Sequence, residues 1–206
     1  PQAGRGSRGK PIVNLLPLED GERINAMLPI RDYPEDRFVF MATSQGTVKK
    51  TPLEAFSRPR ATGIIAVTLE DGDRLVGVDI TNGAHEVMLC TTGGKAIRFP
   101  ESDVRPMGRE AAGVRGIQLV DDQEVNALIV LRDGRILTAS ENGYGKLTEV
   151  EEFPIHGRGG QGVIALQLSE RNGRMVAALQ LLQTDDVMLI SQGGTLVRTA
   201  VDQVSV

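Results

Sequence analysis

The chain has 206 residues, of which 40% are hydrophobic and 24% are charged, and its formal net charge is −4 at pH 7. This length is enough to bury a substantial core in one or two domains. No apolar run reaches the roughly 18 residues that a membrane-spanning helix needs, so no such helix is predicted. Taken alone, the negative net charge argues against a nucleic-acid partner.

The single cysteine, Cys90, excludes a disulfide within one chain and fits a reducing cytosol. It lies in the apolar run EVMLCT (86–91), where we expect a buried small hydrophobic side chain rather than a reactive thiol. The chain begins with proline rather than methionine, so we expect it to be part of a longer protein. No basic segment followed by an apolar one is found, and no signal peptide is predicted.

Four stretches along the chain share one pattern around a glycine. They are ATSQGTVKKT (42–51), CTTGGKAIRF (90–99), ASENGYGKLT (139–148) and ISQGGTLVRT (190–199). Intervals of 48, 49 and 51 residues separate the aligned glycines, which are Gly46, Gly94, Gly143 and Gly194. A nearly fixed period of this length indicates a repeat protein.

Two further families of turn residues keep the same period. One comprises Asp20-Gly21, Asp71-Gly72, Asp121-Asp122 and Asn172-Gly173. The other comprises Pro34-Glu35, Asn82-Gly83, Asp133-Gly134 and Asp185-Asp186. Asp-Gly and Asn-Gly pairs suit the positive φ angles of tight hairpins. With the glycine family above, three turns separate four short strands in each repeat.

In the second repeat we predict strands at 63–69, 74–80, 86–91 and 95–99, all rich in Val, Ile and Leu. Irregular segments that contain Pro with Arg or Lys follow the fourth strand; these segments, here called straps, are 51–62, 100–112 and 149–161. No window shows a sustained apolar period of 3.6 residues, so almost no helix is expected.

These patterns predict an all-β, propeller-like array of four-stranded blades, with about four repeats of roughly 50 residues. The approximate repeat bounds are 1–56, 57–104, 105–153 and 154–206, within a single domain that spans 1–206. A β-sandwich with fortuitous spacing is less consistent with three turn families that stay in register across four copies.

The net charge hides a separation of acidic and basic residues. The segments 1–10, 47–62, 95–112, 144–161 and 195–206 together hold 14 Lys and Arg against 8 Asp and Glu. The rest of the chain holds 9 Lys and Arg against 19 Asp and Glu. In a propeller the straps would form a basic rim, and the hairpin turns would form acidic faces.

A basic rim suits duplex DNA, because phosphates supply a strong attraction that does not depend on base sequence. The chain offers no helix for the major groove and no Cys/His set for a zinc finger. Aromatic residues make up only 3% of the chain, which argues against stacking on single strands. Contact with the DNA backbone, together with DNA bending, is the binding mode that fits.

Several stretches closely resemble the C-terminal DNA-wrapping domain of gyrase A, the A chain of bacterial DNA gyrase, which is a type IIA topoisomerase. They are RGSRGKPIVNLLPLEDGERI (5–24), VFMATSQGTVKKT (39–51), GVRGIQL (113–119), ENGYGKLT (141–148) and GTLVRT (194–199). The similarity runs along the whole chain. It implies a β-pinwheel, in which neighbouring four-stranded blades exchange a strand and duplex DNA bends around the rim.

The resemblance also implies partners and a place in an enzyme. The expected partners are duplex DNA, the N-terminal part of gyrase A, and gyrase B within an A2B2 heterotetramer, in the bacterial cytoplasm with the nucleoid. Cleavage and ATP hydrolysis belong to other parts of that enzyme, so this domain supports ATP-dependent negative supercoiling without being catalytic. We expect no catalytic residue, no cofactor, no metal and no membrane association.

The sequence departs from the family in two ways. About four blades are visible, whereas the family domain usually has six. The wrapping signature of the family, Gln-Arg-Arg-Gly-Gly-Lys-Gly, has no intact copy; the nearest strings are HGRGGQG (156–162) and AGRGSRG (3–9). The first blade is therefore expected to be missing, and this chain is expected to bind linear duplex DNA weakly without wrapping it.

One basic position recurs in the repeats: Lys50, Arg98 and Arg198 occupy it, and the third repeat has Leu147 there, one residue after Lys146. A recurring charge suggests a row that follows the DNA backbone. The predicted phosphate contacts are Arg5, Arg8, Lys10, Lys49, Lys50, Arg58, Arg60, Arg98, Arg105, Arg109, Lys146, Arg158 and Arg198. Acidic neighbours such as Glu101, Asp103 and Glu110 are expected to compete for some of them.

Three alternatives remain open from the sequence. The first is the paralogous C-terminal domain of topoisomerase IV, which shares the fold. The second is a protein-interaction propeller that uses a flat acidic face. The third is a propeller enzyme, which would need polar or metal-ligating residues converging on the axis, and none stands out. A basic rim favours DNA, whereas a basic face would favour a protein partner.

Overall fold

The computed structural model describes residues 11, 14 and 16–204, and in this part of the chain all regular structure is β-strand or short 3-10 helix. No helix among these residues is long and apolar enough to cross a membrane. The strands are β1 (Phe38–Thr43), β2 (Thr47–Pro52), β3 (Leu75–Thr81), β4 (Glu86–Thr91), β5 (Lys95–Pro100), β6 (Val114–Arg115), β7 (Val125–Val130), β8 (Arg135–Ser140), β9 (Gly145–Glu149), β10 (Val163–Ile164), β11 (Met175–Leu181), β12 (Asp186–Ile190) and β13 (Leu196–Ala200). The 3-10 helices are Leu53–Phe56, Glu101–Asp103, Val150–Glu152 and Val201–Gln203. The all-β prediction is confirmed.

Each blade is built on a tight antiparallel hairpin: β1-β2, β4-β5, β8-β9 or β12-β13. The predicted glycines lie in these hairpin turns, with φ angles from +76° to +83° at Gly46, Gly94, Gly143 and Gly194. Such angles strain any residue with a Cβ atom, so the turn positions explain why glycine recurs there.

Strands from later in the chain pair with the first three hairpins and extend them into larger sheets. The first sheet has the order β3-β1-β2-β6 and the second has the order β10-β5-β4-β7. The third sheet has three described strands, β11-β8-β9, and the fourth has two, β12-β13. Strands β6 and β10, here called exchange strands, therefore come from a later repeat than the hairpins they join. The repeat bounds read from the sequence mark the period of the pattern rather than the sheets.

The sheets are arranged with one strand edge inward and the other outward. Strand β3 packs against β7, and β7 packs against β11, so these strands lie on the inside of the array. Strands β2, β5 and β9 lie on the opposite side of their hairpins, and the exchange strands pair with β2 and β5. This outer edge, together with the straps, forms the rim.

The predicted strand at 63–69 is not a strand in the structure. It corresponds to the segments that carry β6 and β10, and all three begin with a left-handed glycine, at Gly63, Gly113 and Gly162. In the two later copies a hairpin lies beside the segment and supplies the hydrogen-bond partners. Among the described residues no strand pairs with 63–69, so apolar composition alone does not make it a strand.

The hydrophobic core lies between successive blades. Phe40 and Val48 of the first hairpin pack with Leu89 and Phe99 of the second in one buried cluster. Met88 and Cys90 belong to the next cluster, which also includes Ile136, Val150 and Met175. The predicted burial of Cys90 is confirmed, and this burial raises the pKa of its thiol to about 12.

Substituting two equivalent turn glycines will separate backbone strain from exchange-strand packing. A Cβ atom at Gly94 would collide with the carbonyl oxygen of Leu166, whereas one at Gly143 would meet nothing within 4 Å. Both residues are left-handed, so Gly143→Ala should cost about 1–2 kcal/mol. Gly94→Ala should cost clearly more in urea unfolding, because Leu166 follows exchange strand β10. Equal losses would contradict the close packing of that segment over the turn.

The thiol of Cys90 should not react with iodoacetamide in the folded protein at pH 8. Burial and the raised pKa leave almost no accessible thiolate. Mass spectrometry should detect labelling only after unfolding in urea, and a Ser102→Cys variant, exposed in the second strap, should react at once as a positive control. Native labelling of Cys90 as fast as that of the introduced cysteine would contradict the burial.

Candidate nucleic-acid interface

The predicted phosphate contacts fall into three groups in the structure. Arg5, Arg8 and Lys10 lie outside the described residues, as does the 3–9 string. The side chains of a second group are buried or are held by other protein groups. A third group is exposed on the rim. Of the two groups that the structure describes, only the third has side chains that are free to contact DNA.

Lys49 lies in β2 and is only 1% exposed. Its ammonium donates a hydrogen bond to the carbonyl oxygen of Ala66 at 2.9 Å and another to the carbonyl oxygen of Arg109. Burial lowers the pKa of Lys49, and the nearby charge of Arg109 lowers it further. The ammonium therefore joins its blade to two neighbouring segments of the same chain.

Lys50 is 3% exposed and points to the other side of the same sheet. Its ammonium donates to the carbonyl oxygen of Glu101 at 2.8 Å and lies 3.6 Å from that residue's carboxylate oxygen Oε2. It also lies 5.2 Å from the centre of the Phe38 ring, within cation–π range. The expectation that Lys49 and Lys50 are exposed on the rim is therefore corrected: both are interior.

The carboxylate of Glu101 is fully buried and has partners on both oxygens. Oε2 accepts a hydrogen bond from the Thr81 hydroxyl at 2.7 Å, and Oε1 accepts one from the backbone N–H of His85 at 2.9 Å. Thr81 belongs to the first sheet, whereas Glu101 follows the last hairpin strand of the second. The Lys50–Glu101 pair therefore joins two blades.

Arg98 has the role in the next junction that Lys50 has in the first. Its Nε donates to the Glu86 carboxylate at 2.6 Å, and its Nη1 donates to the carbonyl oxygens of Val150 and Phe153 at 2.8 and 3.1 Å. Glu86 is thus its acidic partner, rather than the expected Glu101 or Asp103. The guanidinium is occupied by protein groups and is not aimed at the solvent.

The recurring position, here called the clasp position, faces the following blade. Lys50 reaches the start of the 3-10 helix Glu101–Asp103, and Arg98 reaches the start of Val150–Glu152. In the third repeat Leu147 packs with Val201, at the start of Val201–Gln203. The recurrence therefore reflects contacts between blades.

Arg198 occupies the clasp position of the last hairpin and is exposed. Its guanidinium pairs with the carboxylate of Asp186, as that of Arg98 pairs with Glu86. The pair lies on the surface of the fourth sheet, where such ion pairs contribute little to stability. Its charge is therefore largely balanced locally.

Two strap arginines hold neighbouring segments. The Nη1 of Arg109 donates to the carbonyl oxygen of Ile65 at 3.0 Å, and the Nη1 of Arg158 donates to that of Arg115, also at 3.0 Å. Arg158 also donates from Nε to the carbonyl oxygen of Asp103 at 2.9 Å. Arg158 lies in the string 156–162, which connects the third strap to exchange strand β10. Its guanidinium is therefore held by protein groups at this connection.

The remaining predicted cations are exposed, and within the described part of the chain their side chains form no hydrogen bond or ion pair. They are Arg58 and Arg60 on the first strap, Arg105 on the second strap and Lys146 on β9. Arg115, on exchange strand β6, shares these properties but was not among the predicted contacts. In the sequence, Arg115 aligns with Ile65 and Ile164 of the equivalent segments. Those two residues are 64% and 63% exposed, so this aligned position points outward.

Acidic side chains lie mainly away from this set. On the turns between blades, Asp122 pairs with Arg174, and Glu124 pairs with Arg74. On the rim, the exposed carboxylates are Glu54 on the first strap, Asp103 and Glu110 on the second, and Glu149, Glu151 and Glu152 on the third. Among the described residues no three His, Cys, Asp or Glu side chains are grouped as metal ligands, and the expectation of no cofactor stays a prediction.

A family model described as the DNA gyrase C-terminal domain, a beta-propeller, matches residues 1–31, 37–82, 85–132, 134–181 and 185–206. The chain belongs to this family. Curated relatives include the gyrase A of Klebsiella oxytoca, 58% identical over 207 residues, and that of Escherichia coli, 54% identical over 207 residues. Each alignment covers the whole of this chain but only 24% of the relative.

Solved structures of two C-terminal domains share the fold. The C-terminal domain of DNA topoisomerase IV has a TM-score of 0.88 at 27% identity, over 95% of this chain and 62% of that one. The DNA gyrase A C-terminal domain has a TM-score of 0.86 at 25% identity, over 97% of this chain and 67% of that one. These matches confirm the pinwheel-type architecture.

Removing the buried ammonium of Lys50 should destabilise the fold. Lys50→Met leaves the Glu101 carboxylate buried without its counter-charge, and breaking such a pair from one side costs about 3–5 kcal/mol. The exposed Lys146→Met, on the equivalent strand of another blade, should change the free energy of unfolding by less than about 0.5 kcal/mol. Urea unfolding measures both.

The double variant Lys50→Met/Glu101→Gln should recover part of the loss, because no unpaired charge then remains in the interior. A double-mutant cycle gives the coupling between the two residues. Similar stability of Lys50→Met and Lys146→Met would show that Lys50 is not an interior charge.

Proposed function

We propose that this chain binds duplex DNA along its rim, independently of base sequence, and bends it. The observation that carries the proposal is the distribution of exposed cations whose side chains have no partner among the described residues: five of the seven, Arg58, Arg60, Arg105, Arg115 and Lys146, lie on straps and outer strands, and the other two, Arg23 and Arg31, precede β1. The buried lysines and the arginines bonded within the protein are excluded from the proposed contacts.

Charge and shape both support this mode of binding. Phosphates release counterions when basic side chains neutralise them, and this gain is independent of the bases. Bending a site of 20–30 base pairs costs on the order of 1–6 kcal/mol, which a row of phosphate contacts offsets. The third strap carries three exposed carboxylates and no free cation, so Lys146 on β9, the strand that leads into it, would carry the row beyond the second strap.

The family suggests the enzyme in which this module works. We place the chain in the C-terminal part of a gyrase A protein, where it assists ATP-dependent negative supercoiling in the bacterial cytoplasm. The N-terminal part of gyrase A and its partner gyrase B would supply cleavage and ATP hydrolysis, and the module itself would be non-catalytic. The curated relatives at 58% and 54% identity are gyrase A proteins, which favours gyrase over topoisomerase IV.

A protein-interaction propeller is the second candidate function. The acidic turns on the faces would be the surface for a basic partner. The free cations favour DNA over this alternative, because five of the seven among the described residues lie on the rim.

Removing two free cations should weaken DNA binding and make it less sensitive to salt. Arg58→Ala/Arg60→Ala should flatten the plot of log affinity against log salt by about 0.9 for each phosphate interaction that the substitutions remove. Fluorescence anisotropy with two unrelated duplexes at several salt concentrations measures this slope, and both duplexes should behave alike.

Arg74→Ala is the matched control, since Arg74 is an exposed arginine on a turn, paired with Glu124 away from the rim. It should leave the slope unchanged. A strong preference for one duplex, or an unchanged slope in the double variant, would contradict binding through rim phosphates. Loss of binding in the Arg74 variant alone would move the interface to the turns.

A further inference from the structure

At the first two junctions, the clasp position ties one blade to the strap of the next blade. Lys50 and Arg98 lie at the same register, two residues before the end of the outer hairpin strand. Their side chains bond the 3-10 helix that begins the next strap, at Glu101 and at Val150 with Phe153. Each clasp therefore spans from an outer strand of one blade to the strap of the next.

The backbone of the same residues strengthens this link. The carbonyl oxygen of Lys50 accepts a hydrogen bond from the N–H of Met107 at 2.8 Å, and that of Arg98 accepts one from the N–H of His156 at 2.8 Å. Met107 and His156 lie in the middle of the second and third straps. One residue thus fixes both the start and the middle of the following strap.

The third junction uses a different chemistry at the same place. Leu147 and Val201 make apolar contacts, which have no preferred direction. Hydrogen bonds from an ammonium or guanidinium to carbonyl oxygens hold distances and angles within narrow limits. The position of a strap should therefore be better defined at the first two junctions than at the third.

We propose that Lys50 and Arg98 set the separation of successive straps, and hence the curvature that the rim imposes on DNA, without contacting DNA themselves. This inference rests on the proposed DNA-binding function. The free cations Arg58, Arg60, Arg105 and Arg115 lie on the first two straps or on the exchange strand that follows one, and Lys146 lies on β9, which leads into the third strap. A shift of one strap relative to its neighbour therefore moves the points at which phosphates are held.

The chain contains a natural precedent for the test variant. Arg98→Leu places a leucine opposite Val150, as Leu147 faces Val201 in the next junction. Its acidic partner Glu86 is 30% exposed, so the carboxylate left behind stays in contact with water, unlike that of Glu101, and this variant is expected to fold. Arg98→Lys retains a single donor group, as at Lys50, and cannot hold two carbonyl oxygens with the geometry of a guanidinium fork.

The separation of straps is measured on the protein alone. Spin labels at Ser102→Cys and Glu151→Cys, exposed equivalent positions of two 3-10 helices, report the distance across the Arg98 junction. Cys90 is buried and does not interfere. Arg98→Leu should shift or broaden the distance distribution, and Arg98→Lys should lie between wild type and Arg98→Leu.

The bend is measured by energy transfer between dyes at the two ends of a duplex of about 30 base pairs, a length that proteins bend measurably. At saturating protein, Arg98→Leu should change the transfer efficiency, while the salt slope should change by far less than the roughly 0.9 expected for the loss of one phosphate contact. Arg98→Lys should restore most of the wild-type bend. Arg198→Leu, at the same register but with no described strap to hold, should leave the bend unchanged.

The outcomes separate the two proposals. If wild type does not bind duplex DNA, the proposed function fails. The distances between the spin labels still test whether Arg98 sets the separation of the second and third straps. If it binds and bends DNA but Arg98→Leu alters neither distance nor bend, the clasp inference is overturned. A slope shallower by about 0.9 in Arg98→Leu, restored by Arg98→Lys, would instead make Arg98 a phosphate contact. If Arg98→Leu does not fold, an unchanged distance distribution in Arg98→Lys overturns the inference.

Discussion

The fold depends on one constraint: a two-stranded hairpin of this protein has apolar side chains on both faces and cannot bury them by itself. In β2 every residue from Val48 to Thr51 is buried, and in β4 so is every residue from Val87 to Thr91. An isolated hairpin is at best marginally stable in water. Inner strands and exchange strands from later in the chain complete the first two sheets, an inner strand extends the third, and neighbouring blades cover the faces of these sheets.

The same constraint decides which cations are free. The charges of Lys49, Lys50 and Arg98 in β2 and β5 lie in the interior, and a buried charge is costly unless it is hydrogen-bonded and paired. Lys49 and Lys50 meet this requirement with carbonyl oxygens on opposite sides of their sheet, and Arg98 meets it with Glu86 and two carbonyls. Cations on straps and exchange strands remain in solvent, because no further layer covers them.

Local sequence predicted the features that depend on local physics. Turn glycines require positive φ, and the strand at 86–91 was predicted with the bounds that the structure has. The segment 63–69 and the lysine pair were mispredicted because both depend on what lies alongside them. A strand needs a partner, and an adjacent Lys-Lys pair looks exposed on a strand until both faces are known to be covered. That information lies in contacts between residues far apart in sequence, such as Lys50 with Glu101.

Periodicity has a different meaning for the two sets of basic residues. The clasp position recurs because every junction between blades needs a side chain of similar reach there, and Leu147 shows that this requirement can also be met without charge. The free cations do not share one repeat position: Arg58 and Arg105 lie on straps, Arg115 on an exchange strand and Lys146 on an outer strand. Phosphates along a duplex are closely spaced and chemically alike, so a DNA-binding rim does not require its contacts at equivalent residues of each repeat. In a repeat protein of this kind, a recurring cation is therefore evidence first for packing between repeats, and exposure without an internal partner is the better guide to the nucleic-acid interface.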